Sequence, residues 1–293
     1  MQLAILILAH QYPNQVSKLV KSLVAEDGVN VFIHVDSRAK ETFNELAKEF
    51  FGENRVTFIN KRSKVYWGSF TQVRVTLELL KAAKKKGKFD YYSLISGQDL
   101  LIKSVGEYKK FLIANNGKEF LAWYKLPHHE NHGSTGGMDR MELYWLDVKP
   151  SFKYFFSKTN HIIHKLQRRL NHKRPLHFDL FSGSQWFTLS SVAIDYVLDF
   201  ISRNPSFFNA FKYSRCSDEI FFQTILLNSK LKENIVNDSL RYIDWKTGPE
   251  FPRTLRNEDL NKLRSAENKF FARKFDEKID HEVIEKLTAM EKV

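Results

Sequence analysis

The chain has 293 residues, 43% of them hydrophobic and 14% aromatic, with a net charge of +12. That is enough apolar material for one large α/β core carrying a substantial insertion, and the absence of low-complexity tracts, Gly/Ser linkers and internal repeats gives a single domain spanning 1–293. One cysteine, Cys216, excludes an intramolecular disulfide framework and fits a reducing compartment.

The apolar run Met1 to His10 lacks a basic leader, and Gln11-Tyr12-Pro13 follows it in place of a small-residue cleavage site. It is read as a buried parallel strand over Ala4–Leu8, not a secretion signal. A helix over Asn14–Ala25 follows, with Val16, Leu19, Val20 and Leu23 on one face. Val29–Val35 predicts a strand, Ala39–Phe51 a helix, Val56–Asn60 a strand and Thr71–Lys86 a helix. Tyr91–Ile95, Val105–Asn115 and Phe120–Tyr124 continue the alternation as strand, helix and strand. Such alternation implies a Rossmann-like, mostly parallel sheet flanked by helices, with ligands beyond the carboxyl ends of the strands. His10, Asp36 and the run Ser96-Gly97-Gln98-Asp99 fall there.

Residues 1–124 are therefore the expected nucleotide-binding half. Regularity fails over 125–176, an irregular insertion, and 177–293 forms the acceptor and catalytic half, with a strand at Leu180–Leu189, helices at Ser191–Arg203 and Ser217–Asn228, a strand at Leu240–Trp245 and an amphipathic helix over Asp280–Lys292. Two basic clusters stand out. Lys84-Lys85-Lys86-Gly87-Lys88 reads as a solvated helix end. Lys165 to Arg174 interleaves Arg168, Arg169, Lys173 and Arg174 with Ile162, Ile163, Leu166 and Leu170 at helical spacing, a pattern that suits a plain surface helix or contact with a membrane surface. No stretch approaches the roughly 18 apolar residues of a membrane span. The expected location is the cytoplasm, with contact at the inner face of the membrane as a further expectation.

Neither G-x-x-x-x-G-K-[ST] nor G-x-G-x-x-G occurs, and Ser182-Gly183-Ser184 is not a hydrolase elbow. No two Asp are spaced i, i+2, the pair with which many sugar-nucleotide transferases hold a metal. His128-His129-Glu130-Asn131-His132 fits no metal-ligand pattern and reads as a polar loop. No cofactor and no metal are expected. Without a metal, a diphosphate needs fixed cations, and the C-terminal region offers Arg253, Arg256, Arg273 and Lys274. In Cys216-Ser217-Asp218-Glu219, Ser217 or Asp218 suits a helix cap, while Glu219 can serve the helix dipole and act as a base.

The chain resembles the family that joins the core-2/I-branching β-1,6-N-acetylglucosaminyltransferases and the peptide O-xylosyltransferases. The resemblance runs, in order, through Ile33-His34-Val35-Asp36, Tyr66-Trp67-Gly68, Ser96 to Lys103, Gly183-Ser184-Gln185-Trp186-Phe187, Ser217-Asp218-Glu219 and Phe271-Ala272-Arg273-Lys274-Phe275. It implies a GT-A-like fold without the metal-binding Asp pair. Glu219 matches the family's catalytic base, and Lys274, Arg273 and Arg253 match its diphosphate-binding cations. His10, His34, Asp36, Tyr66, Gln98 and Asp99 are the implied nucleotide contacts. Trp245 and Trp186 are implied on the acceptor side, with Arg140 and Glu142 candidates there by position. Gln185 departs from the Asp of the xylosyltransferases, and the disulfides of secreted relatives cannot form around one Cys. The resemblance implies inverting transfer from UDP-GlcNAc, or alternatively UDP-xylose, to a glycan or glycoconjugate acceptor. No nucleic-acid recognition motif occurs, so nucleic acid is not an expected partner.

Overall fold

The computed structural model describes residues 1–146 and 153–289. The first half builds β1 (Leu3–Ala9), α1 (Pro13–Val24), β2 (Val29–Val35), α2 (Lys40–Glu49), β3 (Val56–Phe58), α3 (Thr71–Lys86), β4 (Tyr91–Ser96), β5 (Asp99–Leu101), α4 (Val105–Ala114) and β6 (Glu119–Lys125). Short turns α5 (His129–His132) and α6 (Asp139–Glu142) lead to α7 (Lys153–Arg169). Then come β7 (Phe181–Ser190), α8 (Ser191–Arg203), α9 (Pro205–Ala210), α10 (Phe221–Leu227), β8 (Ile235–Val236), β9 (Arg241–Ile243), α11 (Leu260–Ser265), β10 (Phe271–Arg273) and α12 (His281–Thr288).

The strands form a seven-stranded sheet of order β3-β2-β1-β4-β7-β6-β8 and a three-stranded sheet of order β5-β10-β9. β3, β2, β1 and β4 are parallel, and β7 enters antiparallel to both β4 and β6. This is the mostly parallel α/β architecture that the alternation predicts. β1 is covered on both faces, so its side chains are apolar without interruption. Ile5 and Ile7 join Val16, Leu19, Val20 and Leu23 of α1 in one cluster. Ala4 and Leu6 face the other way, toward Val73, Leu77 and Leu80 of α3. Buried Arg241 links the two sheets: its Nη2 donates to the carbonyls of Leu94 at 3.1 Å and Phe187 at 3.0 Å.

Three sequence expectations are corrected. The insertion is not irregular throughout, because α7 is a continuous helix inside it; residues 147–152 lie outside the described residues. β5 and β10 were not foreseen, since three-residue strands carry no readable periodicity. The strand expected over Leu240–Trp245 is only Arg241–Ile243. Asp244 ends it by accepting from the amides of Lys246 and Thr247 at 2.8 and 3.0 Å. Asp280 caps α12 by accepting from the Val283 amide; the expected helix beyond 289 lies outside the described residues.

Candidate active site

The carboxyl ends of β1, β2 and β4 open into a cleft of about 2050 Å³. His10, His34, Asp36, Tyr66, Gln98, Trp186, Glu219, Trp245 and Arg273 line it. Arg140, Glu142, Asp99, Lys274 and Arg253 do not.

On the β2 side, Asp36 holds Arg38 in a bidentate pair at 2.9 and 2.6 Å and also accepts from the amides of Arg38 and Val65. Burial raises its pKa, but these hydrogen bonds prevail and hold it at about 2. Arg38, which the sequence reading missed, lies over the Tyr66 ring at 5.1 Å and lines the cleft. Asp36 thus spends its oxygens on orienting Arg38, and the Arg38–Tyr66 pair presents the flat surface. His34 Nε2 accepts from the Ser63 amide at 3.0 Å, and burial pushes its pKa down to about 4, so the ring is neutral near pH 7. Gly97 turns the chain between β4 and β5, where a Cβ would lie 2.7 Å from Val16 of α1.

Arg273 ends β10. Its guanidinium lies 4.4 Å from the Trp186 ring centre and 3.3 Å from both Asp99 Oδ1 and Ser96 Oγ. Asp99 is fully buried, so its part is to hold Arg273 rather than to touch a ligand. Lys274 follows, half-buried, and makes no ion pair among the described residues. Arg253 is different. Asp244, Glu258 and Asp259 surround its guanidinium, which makes it the hub of an ion cluster; its neighbour Pro252 lines the cleft, but Arg253 itself does not.

Glu219 lies where the walls meet. No side-chain cap starts a helix here, contrary to the expectation for Ser217 and Asp218. Ser217–Glu219 is a 3-10 turn, and α10 begins only at Phe221. Asp218 instead accepts from Gln72 at 2.7 Å, and burial, with the charge of Glu219, pushes its pKa up to about 7. The turn leaves 36% of the Glu219 side chain open, with Oε2 accepting from Arg140 Nη1 at 2.9 Å. Burial raises the Glu219 pKa, and Arg140 opposes that rise. Two backbone hydrogen bonds fix the loop: the Cys216 amide donates to Gly68 O at 2.7 Å and the Arg215 amide to Arg140 O at 2.9 Å.

Trp245 and Trp67 also line the cleft, with 61% and 80% of their surface exposed, and offer aromatic surface for stacking. Arg215 lies between Trp67 and Trp145, at 5.8 and 4.7 Å from their ring centres. His161, Lys165 and Arg168 of α7 complete this wall. Arg215 could be foreseen only from its place four residues before Glu219; Trp145 and α7 carried no signal for the cleft. Glu142 pairs with Lys173 at 2.8 Å, outside the cleft. Within the histidine-rich loop, His132 meets the Tyr124 hydroxyl at 2.7 Å. Among the described residues no three His, Cys, Asp or Glu cluster as a metal site.

The cleft at the strand ends of this mostly parallel α/β sheet thus brings together an open carboxylate, Glu219, and a fixed guanidinium, Arg273. The chain belongs to the Core-2/I-Branching enzyme family, whose model matches residues 3–270. Xylosyltransferase sqv-6 of Caenorhabditis elegans is 24% identical over 293 residues, covering 92% of this chain and 34% of that protein. Xylosyltransferase 2 of Rattus norvegicus is 23% identical over 313 residues, covering 97% and 33%. The chain spans about a third of the length of these relatives. Among solved structures, the apo WbbM bifunctional glycosyltransferase aligns over 92% of this chain and 45% of its own, with 13% identity and a TM-score of 0.43.

Proposed function

We propose that this chain is an inverting glycosyltransferase that moves a sugar from a UDP-sugar to a hydroxyl of a glycan or glycoconjugate, without a metal ion. The observation that carries the reading is Glu219, an open carboxylate held by Arg140 in the cleft that also receives Arg273. Glu219 takes the proton of the acceptor hydroxyl. The acceptor oxygen forms the new bond to the anomeric carbon, and the bond from that carbon to the phosphate oxygen breaks with its electron pair leaving on UDP. Arg273, steadied by Asp99 and Trp186, meets the developing diphosphate charge, and Lys274 stands next to it. The nucleotide base stacks on the Arg38–Tyr66 surface.

The relatives are named xylosyltransferases, which favours xylose as the transferred sugar and UDP-xylose as the donor proposed for it. UDP-GlcNAc, the first expectation from the sequence, keeps support from the branching-enzyme family model. Surface glycan assembly is the setting either donor suits. Release of UDP against a donor panel decides between them, and turnover with neither donor sinks the UDP-sugar reading. Glu219→Gln is expected to lower kcat by about 10²- to 10⁴-fold while UDP affinity stays within two-fold or so. Activity is expected to survive EDTA; loss that Mn²⁺ or Mg²⁺ restores refutes the metal-free mechanism.

A further inference from the structure

Over residues 159–169, the described side chains of α7 are amphipathic the wrong way round for a helix on a protein surface. The buried ones among them are polar: Asn160, His164 and Gln167 are each less than 10% exposed. They are spent on main-chain groups of the preceding segment. Gln167 accepts from the Tyr144 amide at 2.9 Å, Asn160 accepts from the Leu146 amide at 3.0 Å, and the His164 ring meets Tyr144 O at 3.2 Å. The opposite side shows Ile162, Leu166 and, one residue past its end, Leu170 at 65%, 55% and 67% exposure. Spaced by four, they form one stripe along the helix. Three aliphatic side chains in a row facing water mark an interaction surface, where single exposed ones would not.

Charge identifies the partner. Residues 148–178 contain eight Lys and Arg and no Asp or Glu. Arg169 lies on the stripe, and Lys165 beside it, both exposed and without an ion pair among the described residues. Cations flanking an aliphatic stripe match an anionic phospholipid surface, where the stripe enters the acyl boundary and the cations meet headgroup phosphates. A protein surface offering the same match would need a groove lined with acids. Meanwhile His161, Lys165 and Arg168 turn toward the cleft, so one helix borders both the stripe and the acceptor wall.

We infer that α7 docks the protein on an anionic membrane surface through Ile162, Leu166 and Leu170, holding the cleft mouth beside the headgroups. No part of this depends on which sugar is transferred, or on transfer at all. The test is flotation of the full chain with vesicles of phosphatidylcholine alone and of phosphatidylcholine mixed with phosphatidylglycerol. The protein is expected to float with the mixed vesicles, weakly with the neutral ones, and less as salt rises. Leu166→Ser with Leu170→Ser should weaken binding on the order of ten-fold or more. Arg169→Gln should weaken it about five-fold. Neither variant alters a buried position, and unchanged circular dichroism separates lost docking from lost folding. Equal flotation with both vesicles, or variants that bind like the parent, overturns the inference. So does sedimentation showing a dimer that the Leu variants dissociate, because the stripe would then belong to a second copy.

Discussion

On the β2 wall Asp36 holds Arg38 with both carboxylate oxygens, and Arg38 lies over Tyr66. On the α7 wall Arg215 and Lys165 reach the same cleft and make no ion pair among the described residues. The first wall is closed on itself and preorganised; its charges are already satisfied, so a ligand gains orientation there more than new ion pairs. The second wall is open, and its cations are available to whatever the acceptor brings. Under the proposed function, a nucleotide, whose chemistry is fixed, suits the closed wall, whereas acceptors vary and suit the open one.

The comparison can be broken most sharply at Arg273. If it is the preorganised charge of the closed wall, Arg273→Ala should cost on the order of 10²-fold in kcat/KM for the donor, and Arg273→Lys should recover part of it. An unchanged donor kcat/KM would remove Arg273 from the reaction. Next is Arg140, a positioning residue. Arg140→Gln should lower kcat about ten-fold and move the acid limb of the pH profile upward, because Arg140 opposes the rise in the Glu219 pKa. A slower enzyme with an unmoved limb would make Arg140 merely structural.

Two carboxylates sharpen the contrast through stability. Asp36 has its pKa lowered by folding, so its contribution is present above about pH 4 and is lost as pH falls through about 2. Asp36→Asn should therefore lower Tm at pH 7, and the difference should close in acid. Asp218 is the reverse: its pKa is raised to about 7, so its contribution is present below about pH 4 and is lost as pH rises through 7. Asp218→Asn should raise Tm at pH 8 and leave it nearly unchanged at pH 4. Thermal melts at these pH values test both signs. The smallest effect belongs to the open wall. Arg215→Gln should change acceptor KM only a few-fold and donor KM not at all, and a donor effect would erase the division between the walls.

The fold was legible wherever apolar periodicity was long. β1, β2 and β4 and helices α1, α3 and α8 were foreseen to within a residue or two. The short strands β5 and β10 were invisible although they place Arg273, since their partners are distant in sequence: Arg273 pairs with Asp99. Motif order brought His10, His34, Asp36, Tyr66, Gln98 and Glu219 to one cleft, with Asp99 buried behind Arg273. It did not reveal the ion cluster around Arg253, because cations near a diphosphate and cations in an ion cluster look alike until their partners are known. It also overlooked Arg38, two positions after Asp36, whose stacking on Tyr66 is a contact between chain segments 28 residues apart. Helix α7 was readable as amphipathic, but which of its faces met solvent was not.

Cys216 has a practical consequence. Burial, and then the charge of Glu219, pushes its thiol up to about 11, so it holds very little thiolate at neutral pH. The chain is in effect a cysteine-free background for maleimide labelling. A fluorophore on a cysteine introduced at position 170 would then report the local environment of α7 without a background signal and without touching the loop that carries Glu219.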